Sequence, residues 1–167
     1  MQTKVKLHAT SRVDPGELGQ DRGLALRPEI VSSWERSASS GVAPDRFIVP
    51  AREPELESSF IRAARPVLRR ISSDLADLDV SVILTDASAN VLVRADGSRS
   101  IRARLDQVQL SPGYAYAEDT VGTNAIGTAL AMASPALVMG REHFADVLSR
   151  LSCAAAPIVD PLHGDVL

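Results

Sequence analysis

The sequence predicts an α+β fold, and three observations carry that prediction. Residues 80–85 and 91–93 are rich in β-branched residues and are joined by a short polar turn, which makes them an antiparallel hairpin. Apolar residues at helical spacing precede the hairpin, and helix and strand patterns follow it. This order gives helices laid on one or both faces of an antiparallel sheet; a doubly wound parallel sheet would need strands and helices to alternate from the start.

Residues 1–27 are polar and broken by Pro15, Gly16, Gly19 and Gly23, so they read as an arm anchored by Leu24 and Leu26. Pro28 opens a helix, because its missing N–H would have had no partner there. Ile30, Val31 and Trp34 form its apolar stripe, and Gly41 ends it. Pro44 and Pro50 mark residues 42–53 as a connector, with Phe47, Ile48 and Val49 packed locally.

A second helix is expected from about Pro54 to Leu78. Leu56, Phe60, Ala64, Val67, Leu68, Ile71, Leu75 and Leu78 recur at spacings of three and four, and Pro66 should kink or split the run. Arg62, Arg65, Arg69 and Arg70 fall mostly on the opposite face, a solvated helix surface. The hairpin turns at 86–90 and closes at Asp96-Gly97. Residues 98–113 carry a weak pattern, with 108–110 either a short strand or part of a connecting helix. A helix of small residues is expected over 121–133, a strand over 136–139, a helix over 142–151 and a buried strand over 152–159, followed by a turn at 160–164.

Composition excludes several classes. At 167 residues the chain fits one domain with an extension. No apolar run approaches the roughly 18 residues of a membrane span. The N-terminal stretch lacks a signal-peptide core, and a single cysteine builds no disulfide framework or zinc cluster. A cytoplasmic location follows, with no membrane partner, metal or cofactor expected. Eighteen basic against 21 acidic residues give a net charge of −3, whereas duplex binding draws on a basic excess. No nucleic-acid binding is expected of this chain alone.

The most informative stretch runs from Ser111 to Ala131. Tyr114, Tyr116, Glu118 and Asp119 lead into a helix whose first turn holds Thr120, Gly122, Thr123 and Asn124. Such side chains either cap exposed N–H groups or offer polar groups to a ligand. Two glycines in a helix cost about 1 kcal/mol each against alanine, which requires a packing or binding reason.

Four motifs occur in order: Pro28-Glu-Ile-Val-Xaa-Ser-Trp-Xaa-Arg-Ser with Gly41-Val-Xaa-Pro, then Glu118-Xaa-Xaa-Val-Gly-Thr-Asn-Ala-Ile-Gly-Thr-Ala, then Gly140-Arg-Glu-His-Phe, then Cys153-Ala-Ala-Ala-Pro-Ile-Xaa-Asp-Pro. From about Arg27 to Pro161 the chain resembles the N-terminal region of bacterial transcription regulators of the acetoin and glycerol catabolism type. The resemblance implies a GAF sensor domain with a central antiparallel β-sheet, an N-terminal helical extension, and later regulator domains ending in a Fis-type helix-turn-helix. It divides the chain into an arm (1–27), a helical extension and connector (28–53) and the GAF domain (54–167). In that family another strand and helix follow the Asp-Pro turn, so the domain is expected to be truncated at its C-terminal end. The implied function is small-molecule sensing that controls a separate DNA-binding or activator domain. The implied pocket is lined by Tyr116, Glu118, Thr123, Asn124, His143 and Phe144.

An enzyme is not expected. Glu118 and Asp119 are adjacent, so their side chains diverge and form no acid–base pair. His143 has no second His or Cys at ligand spacing and reads as a capping or pocket-lining imidazole. Cys153, on an apolar strand, reads as a small inert hydrophobe. Two non-enzymatic readings stay open: a sensor whose pocket takes an effector, and a scaffold whose closed pocket serves only dimerisation or docking. A homodimer is expected, through packing of the 56–78 helix or through an unpaired edge of strand 152–159.

Overall fold

The computed structural model describes residues 25–54 and 58–167, together with Gly19 and Gly23. Most of the expected arm, and Leu56 of the second helix, lie outside the described residues. The fold is α+β and GAF-like, with helices packed on antiparallel β-ribbons.

Helix α1 spans Pro28–Ser39 with proline in its first turn, and it buries Ile30 and Trp34 completely. Helix α2 spans Ser59–Asp74 and is capped by Ser58, whose hydroxyl accepts from the Ile61 N–H at 3.3 Å. Pro66 does not split it. It lies on the exposed face of the helix. Only Ile61 and Leu68 of α2 are buried, and the helix packs on the hairpin. The expected run to Leu78 stops at Asp74, because the chain turns over Gly97. The carbonyls of Leu75, Leu78 and Val80 crowd that glycine so closely that a Cβ there would lie 2.3, 2.5 and 3.1 Å from them.

Strands β1 (Ser81–Thr85) and β2 (Val91–Asp96) pair antiparallel from Ser81↔Asp96 to Leu84↔Val93, with an irregularity before Thr85. Asp86 makes the turn by accepting the Ser88 and Asn90 N–H groups at 2.8 and 2.9 Å. Residues 113–116 then lie between 89–91 and 50–52. Tyr116 N–H donates to the Ala89 carbonyl and Ala115 N–H to that of Pro50.

Between these segments lies a helix that the sequence pattern left open, α3 (Arg99–Gln107). Ser98 caps it by accepting from Ile101 N–H at 3.2 Å, and Ile101 and Leu105 are buried beneath it. Residues 108–110 are the turn that follows, not a strand. The expected helix over 121–133 is two pieces, α4 (Glu118–Val121) and α5 (Ala125–Met132). Gly122 separates them at φ +78°, tight against the Phe144 ring, and Asn124 caps α5.

Strands β3 (Ala136–Met139) and β4 (Ser152–Ala155) form a second ribbon, with Val138 opposite Cys153. The expected helix over 142–151 is replaced by two 3₁₀ turns, Gly140–Glu142 and Asp146–Leu148. Its backbone is drawn elsewhere: Phe144 N–H donates to the Thr123 carbonyl and Asp146 N–H to that of Pro44. Strand β4 stops at Ala155, short of the expected 159. Beyond it the chain turns at 160–164, and Val166 bridges back to Val159.

Two cores result. One joins Val91, Ile101, Leu105, Val108, Leu110, Tyr116, Val121 and Leu148. The other seats Ile30 and Trp34 of α1 on Ala125, Val138 and Phe144. Gly97→Ala is expected to cost about 3 kcal/mol, the upper end of ordinary overpacking, because the obstructing atoms are backbone carbonyls. Urea unfolding measures this, and a midpoint equal to that of the parent chain would refute the crowding.

Candidate functional site

A cleft of about 710 Å³ opens between the two ribbons, and every residue of β1 and of β4 lines it. Each ribbon has two strands, so among the described residues β1 and β4 pair on one edge only. Further wall comes from Ile101 and Leu105 of α3, from Asn124, Ala125, Ile126, Ala129 and Leu130 at the head and along one face of α5, and from Leu148, and the charged side chains of Asp79, Arg104 and Arg150 also line it. This wall is largely apolar, with a few polar groups at defined positions, which is how small-molecule sites are ordinarily built.

Of the six residues predicted for the pocket, Tyr116, Asn124 and His143 line this cleft. Tyr116 is buried, and its hydroxyl donates to the Val108 carbonyl. Burial pushes that phenol well above its ordinary range, so it remains protonated. Asn124 accepts from Gly127 N–H at 3.0 Å, while its amide donates to the carbonyls of Tyr116 and Gly122 at 2.9 Å each. It therefore ties the segment before α4 to the start of α5. His143 is buried, with Nδ1 2.9 Å from the Gly140 carbonyl. Burial holds its pKa below the ordinary value, against the raising influence of that hydrogen bond and of Glu142. The ring is thus neutral near pH 7, with Nδ1–H as the donor.

Glu118, Thr123 and Phe144 are not among the lining residues; they meet α1 instead. Glu118 is a buried carboxylate. Arg36 donates to it through Nε at 2.6 Å and Nη2 at 3.0 Å, Thr128 donates at 2.6 Å, and the Ser33 hydroxyl donates as well. The Thr123 hydroxyl lies 2.7 Å from that of Ser33 and 3.2 Å from that of Ser37. Phe144 packs edge-on against Trp34 at 5.7 Å, and Trp34 Nε1 donates to the Glu142 carbonyl at 2.7 Å. Although burial works against ionisation, Arg27 and the Met139 N–H hold the Glu142 carboxyl below the usual carboxylate range. Sequence reasoning missed Ser33, Arg36 and Thr128. The available signal was two hydroxyl residues and an arginine lying within motifs already singled out.

Most of the other lining residues were missed as well, Cys153 and Ile83 among them. Cys153 lies in the cleft wall, where burial pushes its thiol up to about 11. Ile83 lies opposite, on β1. Among the described residues no group of three or more His, Cys, Asp or Glu side chains is placed to hold a metal ion, and no helix is long and apolar enough to cross a membrane.

These features define a GAF-like regulatory domain with its N-terminal helix folded onto it, and comparison with known proteins gives its family. The chain belongs to the MimR N-terminal domain family, whose profile matches residues 14–167. It is 44% identical over 144 residues to the propane 2-monooxygenase operon transcriptional activator MimR of Mycolicibacterium goodii, covering 86% of this chain and 25% of that protein. It is 30% identical over 141 residues to the acetoin dehydrogenase operon transcriptional activator AcoR of Bacillus subtilis, covering 80% and 23%. The chain thus spans about a quarter of the length of these relatives. Its fold is shared with a chain of the E. coli DhaR(N)–DhaL complex at a TM-score of 0.69 and 23% identity, covering 84% of this chain and 49% of that one.

His143 makes stability depend on pH. Its folded pKa is depressed, so the unfolded chain takes up the proton first, and the contribution is complete above the unfolded value of about 6.5 and lost as pH falls through it. The urea midpoint is expected to fall between pH 7.5 and pH 5.5 (roughly one unit either side of that value), and His143→Gln should flatten the fall. An equal fall in the variant would assign it to other groups.

Proposed function

We propose that this chain is the ligand-sensing domain of a cytoplasmic transcriptional activator, and that the effector binds in the cleft between β1 and β4. The observation that carries the reading is the cleft itself. Its volume of about 710 Å³ falls within the roughly 300–1,000 Å³ of ordinary ligand sites, and its mostly apolar lining also holds Tyr116, Asn124 and His143 and the charged Asp79, Arg104 and Arg150. A closed scaffold would fill that space with side chains. Binding rather than catalysis fits the groups present. The Tyr116 hydroxyl is committed to Val108, Asn124 to the backbone, and His143 is neutral and bonded to Gly140.

The operons in the relatives' names concern propane and acetoin, short-chain compounds that are apolar or carry few polar groups. A short-chain alcohol, ketone or diol suits a largely apolar cleft with scattered polar atoms. The net charge of −3 leaves DNA contact to another part of the activator. In a thermal-shift screen of such compounds, a ligand at 100 times its dissociation constant should stabilise the domain by about 2.7 kcal/mol. Ala129→Leu, which narrows the cleft from α5, should abolish the shift while the variant remains folded. A hit that Ala129→Leu leaves intact would place the effector elsewhere.

We also infer a homodimer packed through α2. Val67 is 58% exposed, and only Ile61 and Leu68 among the apolar residues of that helix are fully buried, which leaves an apolar face for a second copy. Light scattering should give twice the chain mass at high micromolar concentration, and Val67→Glu should shift it toward the monomer. A monomeric parent chain would exclude the dimer.

A further inference from the structure

We propose that α1 is the movable output element of the cleft, and that the Glu118 cluster is the latch that couples the two. The proposal rests on the cleft being the effector site and adds how its occupancy would be read.

The argument begins with α5, which has two working faces. Ala125, Ile126, Ala129 and Leu130 line the cleft, whereas Thr128 turns to the other side and donates to Glu118. Asn124 and Thr123, at the head of the helix, divide in the same way: Asn124 lines the cleft and Thr123 enters the hydroxyl cluster beneath α1. Two residues away from Glu118, Tyr116 also lines the cleft. A displacement of α5 or of residues 116–118 therefore reaches both places within one or two residues.

Helix α1 is held by a small set of directional contacts. Ser33 and Arg36 bond Glu118, Ser37 reaches Thr123, and Trp34 bonds the Glu142 carbonyl. Such a network is sensitive to geometry, because a buried carboxylate that loses one donor keeps its full desolvation cost. The apolar part of the seat is shared as well. Ala125 belongs both to the cleft wall and to the cluster around Ile30 and Trp34, and Cys153 lines the cleft while packing against that cluster. Space beside α5 is fixed on its third side: a Cβ on Gly127 would lie 2.7 Å from the Glu118 nitrogen. The helix cannot move toward α4 and must shift along or away from it, which stretches the Thr128–Glu118 contact.

The test perturbs the cleft and reads α1, with no effector present. Ile126→Phe inserts bulk into the cleft from α5, and Leu130→Phe serves where the first variant fails to fold. Two readouts report on α1: hydrogen exchange of the 28–39 amides, and emission of Trp34, the chain's one tryptophan. Filling the cleft should accelerate exchange in 28–39 by roughly fivefold or more, the lower end of ordinary coupling, and shift Trp34 emission to the red. Thr128→Val should do the same by opening the latch directly, and the double variant should add little to either alone. Leu68→Ala, in the core under α2, controls for general destabilisation and should not favour 28–39. If Thr128→Val loosens α1 while the cleft variants do not, the coupling is overturned. If neither moves α1, the latch is overturned, and the effector site stays open to the separate thermal-shift test.

Discussion

A carboxylate removed from water must be surrounded by donors, and the position of Glu118 imposes this on two separate parts of the chain. Its oxygens take hydrogen bonds from Ser33 and Arg36 of α1 and from Thr128 of α5. An unpaired buried charge costs several kcal/mol, far more than the net value of any one of these bonds. The cluster therefore acts less as a source of stability than as a condition that any folded arrangement must satisfy. Helix α1 cannot pack elsewhere without stranding Glu118, and α5 cannot rotate without withdrawing Thr128. The bonds and the Trp34–Phe144 contact cross the division at residue 53, so α1 is folded into the domain and not merely joined to it.

This constraint shapes the cleft from behind. With α5 held by Thr128 on one side, its other face is fixed as the cleft wall, and the small residues Ala125 and Ala129 keep that wall recessed. Asn124 closes the corner by bonding two carbonyls and one N–H, so the cleft ends in a rigid, hydrogen-bonded turn. Opposite it stand β1 and β4, which are connected to each other only through the rest of the fold. The α5 wall is tied to α1 through Thr128 and Glu118, whereas β1 and β4 do not pair with each other among the described residues.

Much of this was legible in the sequence. Pro28 as a helix start, the hairpin with its Asp86 turn, β3 and the turn at 160–164 all follow from local chemistry, and local chemistry is what they obey. Helix α3 was legible in principle, since Ser98 precedes Ile101, Leu105 and Val108 at helical spacing, but a polar surface masked the stripe. The helix expected over 142–151 failed for a different reason. Its apolar spacing is sound, yet the Phe144 and Asp146 N–H groups find acceptors at Thr123 and Pro44, which no local pattern reveals. Gly122 likewise breaks the expected 121–133 helix because the Phe144 ring occupies the space its side chain would need. Tyr116, Asn124 and His143 were expected in the pocket from the family resemblance, and they line the cleft. Glu118 was picked out for the same reason and sits on the other side of that helix, because sequence spacing does not say which face of α5 the preceding turn will meet.

Three of the four motifs by which the chain resembles its family meet in this one assembly, while the fourth, from Cys153, lines the cleft. Ser33, Trp34, Arg36 and Ser37 come from the first motif, Glu118, Thr123 and Thr128 from the second, and Glu142 and Phe144 from the third. They are far apart in sequence (Arg27 reaches Glu142 across 115 positions), and in space they form one contiguous seat for α1. Their chemistry is intramolecular, so they specify a way of attaching a helix and say nothing about an effector. The residues that shape the far side of the cleft, such as Ile83, Leu105, Leu110, Leu148 and Leu151, lie outside those motifs. The seat of α1 and the cleft meet at α5, whose Thr128 bonds Glu118 while Ala125 and Ala129 line the cleft. The family is thus readable largely from residues that hold the domain together.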